Sequence, residues 1–264
     1  MTHPMFDLSG RVALVSGAAS GMGRAMAVAL AEVGADLMLA DINGDGLCST
    51  VAEIEALGRR AAPVVCDVSD PAQIRAMFER LDREYGRIDV LGNVAGEGHR
   101  ARPEEITLEQ VQRTLQVLVV GRFCCCQEAG RRMLAAGKGS IINTGSLASI
   151  TALGRGHIAY SMAMGAVAQM TRELSTEWSG RGVRVNAILP AQVSNAGLRE
   201  RMAADPNLRG TFLRGIPSGR LGEPGDIKGL AVFLASDASG WISGALIPMD
   251  GGNLAMNAGG SHTW

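Results

Sequence analysis

The sequence has few lysines, little net charge and no long apolar run. Of 25 basic residues only two are lysines, Lys138 and Lys228, and the formal net charge is −1. A chain so close to neutral gives no electrostatic reason to expect a nucleic-acid partner. No signal-peptide pattern occupies residues 1–10, and the apolar run 115–126 is broken by Arg122 and is too short to span a bilayer. We therefore expect a soluble, cytoplasmic protein with no nucleic-acid or membrane partner.

The cysteines match neither a disulfide framework nor a zinc site. Five are present, and three of them are consecutive at 124–126. On a helix, adjacent positions point about 100° apart, so three neighbouring thiols cannot converge on one metal ion. We interpret them as small apolar packing residues in a reducing compartment, with a redox role as the alternative, and we expect no bound metal.

Segments of strand length and helix length alternate along the whole chain. With 264 residues, 47% of them hydrophobic, and 35 glycines, the composition suits a buried parallel sheet whose strands are joined by tight turns. The alternation predicts a doubly wound α/β fold, with a seven-stranded parallel sheet flanked by helices. No linker or internal repeat interrupts it, so we predict a single domain over residues 1–264.

Two long helices and one polar segment stand out in this pattern. The helices are predicted near Thr107–Ala136 and Ile158–Ser179, and they are rich in Ala, Val, Met and Cys. These helices carry more apolar residues than packing against one sheet face requires. We therefore expect part of their surface to pack against another copy of the chain. The polar segment 192–217 is expected to be mobile and to form a lid over a small-molecule substrate. The tail 257–264 could reach a neighbouring subunit or be disordered.

A glycine-rich turn joins the first predicted strand to the first predicted helix. After the apolar run 11–16, the stretch Ser16–Gly23 carries glycines in the spacing G-x-x-x-G-x-G. Glycine adopts backbone conformations closed to other residues and lets a pyrophosphate approach the main chain, where free N–H groups and the helix dipole face the anion. A glycine trio alone also fits a plain turn. The residues of the turn predicted to bind a cofactor are Gly17, Ser20, Gly21, Met22 and Gly23.

The second predicted strand ends at Asp41. This lies about 20 residues beyond the glycines, where a carboxylate can accept hydrogen bonds from an adenosine ribose and would repel a 2′-phosphate. Neither Ser20 nor Ile42 supplies the basic group that NADP binding favours. Arg24 is the one nearby cation, and we interpret it as a solvated helix residue. The residue types therefore predict NAD as the cofactor.

With this order of elements, the chain resembles the short-chain dehydrogenase/reductase family over essentially its whole length. The resemblance implies a Rossmann-type fold, a homodimer or homotetramer built through the two long helices, and hydride transfer between NAD and a secondary alcohol or ketone such as a sugar or polyol. The matching blocks, in chain order, are Ser16–Gly23, Asp67–Val68, Gly92–Gly96, Ser140–Ser146, Tyr160–Ala163, Arg184–Pro190, Phe233–Asp237 and Asp250–Gly252.

The resemblance also implies cofactor contacts for residues that follow the strands. One group would contact the adenine, a second would line the adenosine-ribose side, a third would hold the nicotinamide carboxamide, and an asparagine would lie near the pyrophosphate. In that order they are Asp67 and Val68; Asn93, Ala95 and Gly96; Pro190 and Val193; and Asn195.

Two residues match the catalytic pair of the family. Tyr160 matches the tyrosine that exchanges a proton with the substrate oxygen, and Ser146 matches the serine that holds that oxygen. An unperturbed tyrosine has a pKa of about 10. It is therefore a poor base at neutral pH unless a nearby cation stabilises its phenolate. The family places a lysine one helical turn after the tyrosine for this purpose.

This sequence departs from the family at two linked positions. Met164 stands where the lysine is expected, and Leu118 stands where the family has an asparagine that links the lysine to solvent. Neither replacement offers a charge or a donor. His157, Arg155 and Arg122 are the candidates for a substitute cation near Tyr160, although each could also be an ordinary solvated group.

Three functions follow from this combination. The one we favour is a working NAD-dependent oxidoreductase in which Ser146 and Tyr160 act with a different cation or with water. The second is a family member that binds NAD but has lost turnover and serves as a binding or interaction module. The third is an elimination or epimerisation that uses bound NAD transiently. In the loop 97–102, the side chains of His99, Arg100 and Arg102 could contact a carboxylate or polyol substrate, or could be solvated charges.

Overall fold

The structure, a computed structural model, describes residues 3–256, so the predicted contact of the tail 257–264 lies outside the described residues. Within that range, parallel strands form one seven-stranded sheet in the order β3-β2-β1-β4-β5-β6-β7. This confirms the predicted doubly wound α/β fold. The strands are β1 (Val12–Ser16), β2 (Asp36–Asp41), β3 (Ala61–Val65), β4 (Val90–Asn93), β5 (Gly139–Thr144), β6 (Val183–Pro190) and β7 (Leu246–Met249).

Helices cover both faces of the sheet. On one face α1, α2 and α9 pack around Met26 and Leu234, and on the other α3, α5 and α6 pack around Phe78 and Met133. None of the helices in residues 3–256 combines the length and apolar character needed to cross a membrane. The helices are α1 (Gly21–Glu32), α2 (Gly44–Ala56), α3 (Pro71–Tyr85), α4 (Leu108–Leu115), α5 (Arg122–Ala136), α6 (Ile158–Trp178), α7 (Ala196–Ala204), α8 (Pro206–Leu213) and α9 (Lys228–Ala235).

The central strand β1 sets the position of the crevice. It pairs with β2 on one side and β4 on the other, so that Ser16 lies opposite both Ala40 and Asn93. The carboxyl ends of these three strands are therefore level. The strand order reverses direction here, and ligands of doubly wound sheets bind in the crevice outside the strand ends at this point.

The predicted long helix over 107–136 is interrupted. α4 ends at Leu115, a π-helical segment spans Gln116–Gly121, and α5 begins at Arg122. The segment is tied to the loop after β3, because the Gln116 side chain donates to the carbonyl of Ser69 at 2.9 Å, and a Cβ at Gly121 would overlap the carbonyl oxygen of Val68. The interruption of the helix therefore accompanies a tertiary contact.

The segment 192–217 is more ordered than its composition suggested. It contains α7 and α8, each begun by a side-chain cap: Asn195 accepts from the N–H of Leu198 at 2.7 Å, and Asp205 accepts from the N–H of Asn207 at 3.0 Å. Leu198, Phe212, Ile216 and Leu221 form a small hydrophobic cluster of their own. The cap residues and the spacing of the apolar residues indicate two helices. The prediction of a mobile segment was based on polar composition alone and missed them.

Candidate active site

A cavity of about 680 Å³ lies at the carboxyl ends of the strands. It is bounded by the loops that follow β1 to β6 and by the start of α6. Every residue predicted for the cofactor or for catalysis lines it except Asn93. The predicted residues found in its wall are Gly17, Ser20, Gly21, Met22, Gly23, Asp41, Asp67, Val68, Ala95, Gly96, Ser146, Tyr160, Pro190, Val193 and Asn195.

The glycine turn has no room for side chains on its protein side. Gly17 has φ +73°, and a Cβ there would lie 2.9 Å from the backbone nitrogen of Ala95. A Cβ at Gly23 would overlap the carbonyl oxygen of Gly17, which locks the helix against the turn. Gly21, in contrast, has φ +56° and nothing within 4 Å of its Cβ position, so the main chain is bare toward the cavity. This cradle fits a pyrophosphate at the N-terminus of α1.

Asp41 is held at the end of β2 by backbone donors. Its two carboxylate oxygens accept from the N–H groups of Ala19 and Asn43 at 3.1 and 3.0 Å. Arg24, at the start of α1 near the turn, is paired with Glu53 at 2.7 Å. Among the described residues, the basic side chain in the cavity wall is Arg113 on α4, and no ion pair joins it to Asp41.

Asp67 and Asn93 are oriented in opposite ways. Asp67 lines the cavity, and its carboxylate accepts from the N–H of Ser69 at 2.8 Å. Asn93 is 1% exposed, and its amide donates to Asn143 at 3.0 Å and to Cys126 at 3.3 Å, beneath the cavity wall. Any contribution of Asn93 to cofactor binding would therefore act through the strand end it supports.

Ser146 follows β5 and is fixed by a tight turn. Its hydroxyl accepts from the N–H of Ala148 at 3.2 Å, and its own N–H donates to the Ser149 hydroxyl at 3.3 Å. The capping interaction ends the strand and leaves the serine in the cavity wall, 7% exposed.

Tyr160 reaches the same cavity from the first turn of α6. A Cβ at Gly98 would lie 2.9 Å from the Tyr160 side chain, so the loop after β4 packs directly against the tyrosine ring. The ring of His157 stands edge-on to it, with 6.1 Å between centroids. The predicted catalytic pair and the predicted cofactor turn therefore share one crevice.

Met164 and Leu118 are packed among apolar side chains and do not line the cavity. Both are completely buried and belong to one hydrophobic cluster with Ala148, Ala163 and Val167. Tyr160 packs against the edge of this cluster. The space beside the tyrosine on this helix face is therefore dry.

His157 and Arg155 are poor sources of positive charge for Tyr160. The pKa of His157 is lowered by burial, and the charges of Arg100, Arg155 and Arg201 lower it further against the opposing effect of the Gly154 carbonyl. A lowered pKa favours the neutral imidazole at neutral pH. The guanidinium of Arg155 lies 4.9 Å above the ring of Phe212, turned toward α8.

Arg122 is buried behind the cavity wall. It is 4% exposed, and its guanidinium donates to the carbonyls of Thr144, Ala95 (3.2 Å) and Val94 (3.5 Å). Burial lowers the pKa of Arg122, whereas negative charge on Tyr160 is the first of the neighbouring influences that raise it. No carboxylate among residues 3–256 pairs with this guanidinium.

Three arginines gather near the loop after β4, the start of α6 and α7, outside the residues that line the cavity. Arg100, Arg155 and Arg201, hereafter the arginine cluster, lie close enough that charge repulsion contributes to the lowered pKa of Arg155 and of Arg201, after the larger effect of burial. The Ala101 N–H donates to the carbonyl of Gly156 at 3.1 Å, which ties their two loops together. Within the described part of the chain, none of the three forms an ion pair.

The cysteine triplet is consistent with the packing interpretation. The three side chains 124–126 are buried, and burial raises the pKa of Cys126 to about 12 and that of Cys125 well above its ordinary value. A thiolate, the reactive form, is disfavoured in such a site.

Several cavity residues escaped sequence reasoning. Some adjoin predicted positions and could have been found by extending the matched blocks, whereas Arg113 and Val117 come from α4 and the π-helical segment and carry no local signal. The unpredicted wall residues are Ile42, Cys66, Ser69, Val94, Glu97, Arg113, Val117, Gly145 and Ala191.

Comparison with known proteins agrees with this architecture. A family model described as enoyl-(acyl carrier protein) reductase matches residues 17–253. The D-threitol dehydrogenase of Mycolicibacterium smegmatis is 42% identical over 248 residues, which cover 94% of this chain and 94% of that protein.

Solved structures give the same result. A candidate short-chain alcohol dehydrogenase from Sinorhizobium meliloti has a TM-score of 0.90 at 38% identity, with 96% of this chain and 99% of that chain covered. A gluconate 5-dehydrogenase from Burkholderia cenocepacia, solved in complex with NADP and tartrate, has a TM-score of 0.90 at 30% identity, with 96% and 98% covered. The fold, the crevice and these likenesses together show that the chain belongs to the short-chain dehydrogenase/reductase family.

Proposed function

We propose that the protein is an NAD-dependent oxidoreductase that acts on a secondary alcohol or ketone of a small sugar-like molecule. The observation that carries the proposal is that Ser146 and Tyr160 share one cavity with the glycine turn at the start of α1. A family scaffold with only a nucleotide site would not need a hydroxyl and a phenol in the same wall. The relatives named above act on threitol and gluconate, which supports a polyol or sugar substrate.

The cofactor would extend along the crevice. The bare main chain at Gly21 and the N-terminus of α1 would hold the pyrophosphate, Asp41 the adenosine ribose, and Asp67 the adenine. The Burkholderia relative was solved with NADP, so the family fold alone does not select NAD. The carboxylate of Asp41, which forms no ion pair among the described residues, supports NAD because it would repel a 2′-phosphate.

The chemistry assigned to the chain itself is proton transfer and substrate orientation. When bound, the nicotinamide supplies the hydride acceptor or donor. The Ser146 hydroxyl would hold the substrate oxygen, and the phenolate oxygen of Tyr160 would take the hydroxyl proton during oxidation and return it during reduction. The loop that packs on the tyrosine ring at Gly98 would fix its orientation.

We also propose that the substrate carries a negative charge. The arginine cluster is not neutralised by a described acidic side chain, and an anionic ligand would relieve its mutual repulsion. His157 belongs to the same neighbourhood, and its ring centroid lies 6.1 Å from that of Tyr160, so an anionic end group and a reacting hydroxyl could be bound together. A sugar acid therefore fits this side better than a neutral polyol.

The segment with α7 and α8 would cover that substrate, and the assembled form would be a homodimer or homotetramer. Val193 and Asn195 line the cavity and Arg201 stands on α7, which supports a covering role. Phe123 and Met162, on α5 and α6, remain 43% and 48% exposed, which supports contact through those helices.

A binding module without turnover is the second candidate, and the dry cluster around Met164 favours it. The two candidates are separated by measuring NADH formation with a panel of polyols, sugars and sugar acids, alongside NAD binding by calorimetry. Wild-type turnover that falls at least about 100-fold in Tyr160→Phe while NAD binding persists is expected for the enzyme. Tight NAD binding with no turnover on any substrate, and no change in Tyr160→Phe, would establish the module instead.

A further inference from the structure

We propose that Arg122 supplies the positive charge that stabilises the phenolate of Tyr160, in place of the ammonium that the family carries four residues after the tyrosine. The inference rests on the proposed function, in which Tyr160 exchanges the proton. Arg122 acts through Tyr160 and is therefore a positioning residue rather than a catalytic one.

The burial of Arg122 is the first observation behind it. A charged side chain removed from water is costly unless something compensates it. In the described residues the compensation consists of main-chain carbonyls at Thr144, Ala95 and Val94, without a carboxylate. The Nε–H remains buried without an acceptor among residues 3–256. A full negative charge nearby would complete this environment, and Tyr160 can provide one by ionising.

The location of the guanidinium is the second observation. Two of its acceptors, Ala95 and Val94, themselves line the cavity, and Thr144 is separated from Ser146 by one residue that also lines it. The cation therefore lies behind the part of the wall that Val94 and Ala95 form. Arg122 also follows Leu118 by four residues, and Leu118 belongs to the buried cluster that Tyr160 borders. Negative charge on Tyr160, Cys126 or Cys125 would raise the pKa of Arg122. Burial holds the two thiols neutral, which leaves Tyr160 as the group that can carry this charge.

The dry packing beside the tyrosine strengthens the effect. Met164 and Leu118 exclude water from one side of Tyr160, and Coulombic interactions grow as the effective dielectric constant falls. The same apolar residues that leave no room for an ammonium therefore reduce the screening of the Arg122 charge.

Other charged groups near Tyr160 do not supply a buried positive charge to its phenolate. His157 favours its neutral form, and Arg155 is directed toward Phe212. Arg113 and Glu97 line the cavity from α4 and from the loop after β4, but both are exposed and of opposite sign. Asp41 and Asp67 lie at the adenine end, at the ends of β2 and β3. Arg122 is the buried cation in this set.

The chain allows a direct spectroscopic test because it contains two tyrosines, Tyr85 and Tyr160. In a Tyr85→Phe background, the ultraviolet absorbance of tyrosinate reports Tyr160 alone, without substrate or cofactor. Adding Arg122→Met should move the midpoint of this titration upward by about 1 pH unit or more. Arg122→Lys, which keeps a cation, should recover a large part of the shift. Circular dichroism at each pH verifies that the protein stays folded.

A matched control is available in Arg184. It is also a largely buried arginine, donating to the carbonyl of Leu234 at 2.9 Å, but it lies on β6 away from the cavity. Arg184→Met should leave the Tyr160 midpoint unchanged. Equal midpoints in Arg122→Met and its parent would overturn the proposal.

Two further results keep the test decisive. If Arg122→Met does not fold, the Tyr85→Phe protein alone decides: a midpoint clearly below about 10 supports the proposal, and one at or above that value overturns it. Because the readout needs no turnover, a shifted midpoint in a protein without activity would refute the proposed function and leave the role of Arg122 standing. Turnover without a shifted midpoint would support the proposed function and refute the role of Arg122.

Discussion

Met164 and Leu118 are packed into one completely buried apolar cluster, although 45 residues and a change of element separate them. Met164 shares a helix face with Tyr160, four residues earlier. Leu118 comes from the π-helical segment, on which the family usually carries an asparagine. The two departures from the family are thus in the same small volume, which supports the view that they compensate each other.

Replacing Met164 with lysine should destabilise the protein. Met164→Lys is expected to lower the free energy of unfolding by about 3 kcal/mol, because the ammonium would enter the cluster without a partner. Met164→Leu, which keeps an apolar side chain, should cost less than about 1.5 kcal/mol. Adding Leu118→Asn gives the lysine a polar neighbour. The double variant should therefore lose less free energy of unfolding than the sum of the losses in the two single variants. Urea unfolding of the wild type, the three single variants and the double variant measures these losses, and strictly additive losses would contradict the coupling.

Asp41 should control the choice of cofactor. Asp41→Asn keeps an acceptor for one of the two backbone N–H groups and removes the charge that repels a 2′-phosphate. We expect the ratio of kcat/KM for NADP to that for NAD to rise at least about tenfold. Asp45→Asn, an exposed change nearby on α2, should leave the ratio unaltered. A wild type that already prefers NADP would remove the basis of the NAD assignment.

The arginine cluster should distinguish anionic from neutral substrates. Arg155→Met and Arg201→Met are each expected to raise KM for a sugar acid about tenfold, since a charge-assisted hydrogen bond is lost, with little effect on a neutral polyol. Arg102→Met is the matched control, because this exposed arginine faces Glu105 at 3.9 Å. Equal effects on both kinds of substrate would indicate a structural role for the cluster instead.

Tyr85 should make stability sensitive to high pH. Its hydroxyl donates to the carbonyl of Leu37 at 2.7 Å, and burial raises the pKa of Tyr85 to about 12. Because the folded pKa is raised, the protonated phenol contributes stability fully below its unfolded pKa of about 10. That contribution is lost as the pH rises through about 12.

The comparison of wild type with Tyr85→Phe checks this sign. Urea unfolding across the same pH range should show a steeper decline of the free energy of unfolding in wild type than in the variant. Parallel curves would mean that the phenol ionises equally easily in the folded and unfolded chains.

The exposed apolar side chains of α5 and α6 should belong to a subunit interface. Phe123→Asp and Met162→Asp are expected to shift the protein toward monomer in light scattering, because a carboxylate would be desolvated in an apolar contact. Trp241→Asp, at a fully exposed residue outside both helices, serves as the control. A wild type that is already monomeric would contradict the expected assembly.

Local sequence patterns predicted most of the fold, and the family resemblance predicted most of the cavity wall. The alternation of apolar segments predicted the seven strands. The glycine turn and Asp41, predicted from local patterns, and Asp67, predicted from the resemblance, all line the cavity. The helices α7 and α8 were missed, because the polar composition of 192–217 obscured the caps at Asn195 and Asp205.

Side-chain direction was the part that local patterns could not give. Asn93 and Tyr160 were both assigned to the crevice, yet the asparagine amide is turned into the sheet and the tyrosine faces the cavity. The difference depends on partners far along the chain, Asn143 for the one and Gly98 for the other. The interruption at 116–121 likewise follows contacts with the loop after β3.

The sequence by itself determined which segments form strands and helices, where the glycine turn lies, and that no lysine follows Tyr160 by one helical turn. These features depend on short-range sterics, burial periodicity and residue identity. Only the tertiary structure decided that Met164 and Leu118 form a dry cluster. It also decided that Arg122 is buried behind the cavity wall without a carboxylate partner among residues 3–256. Whether a charge is screened or felt depends on what packs around it, and that is set by elements distant in the chain.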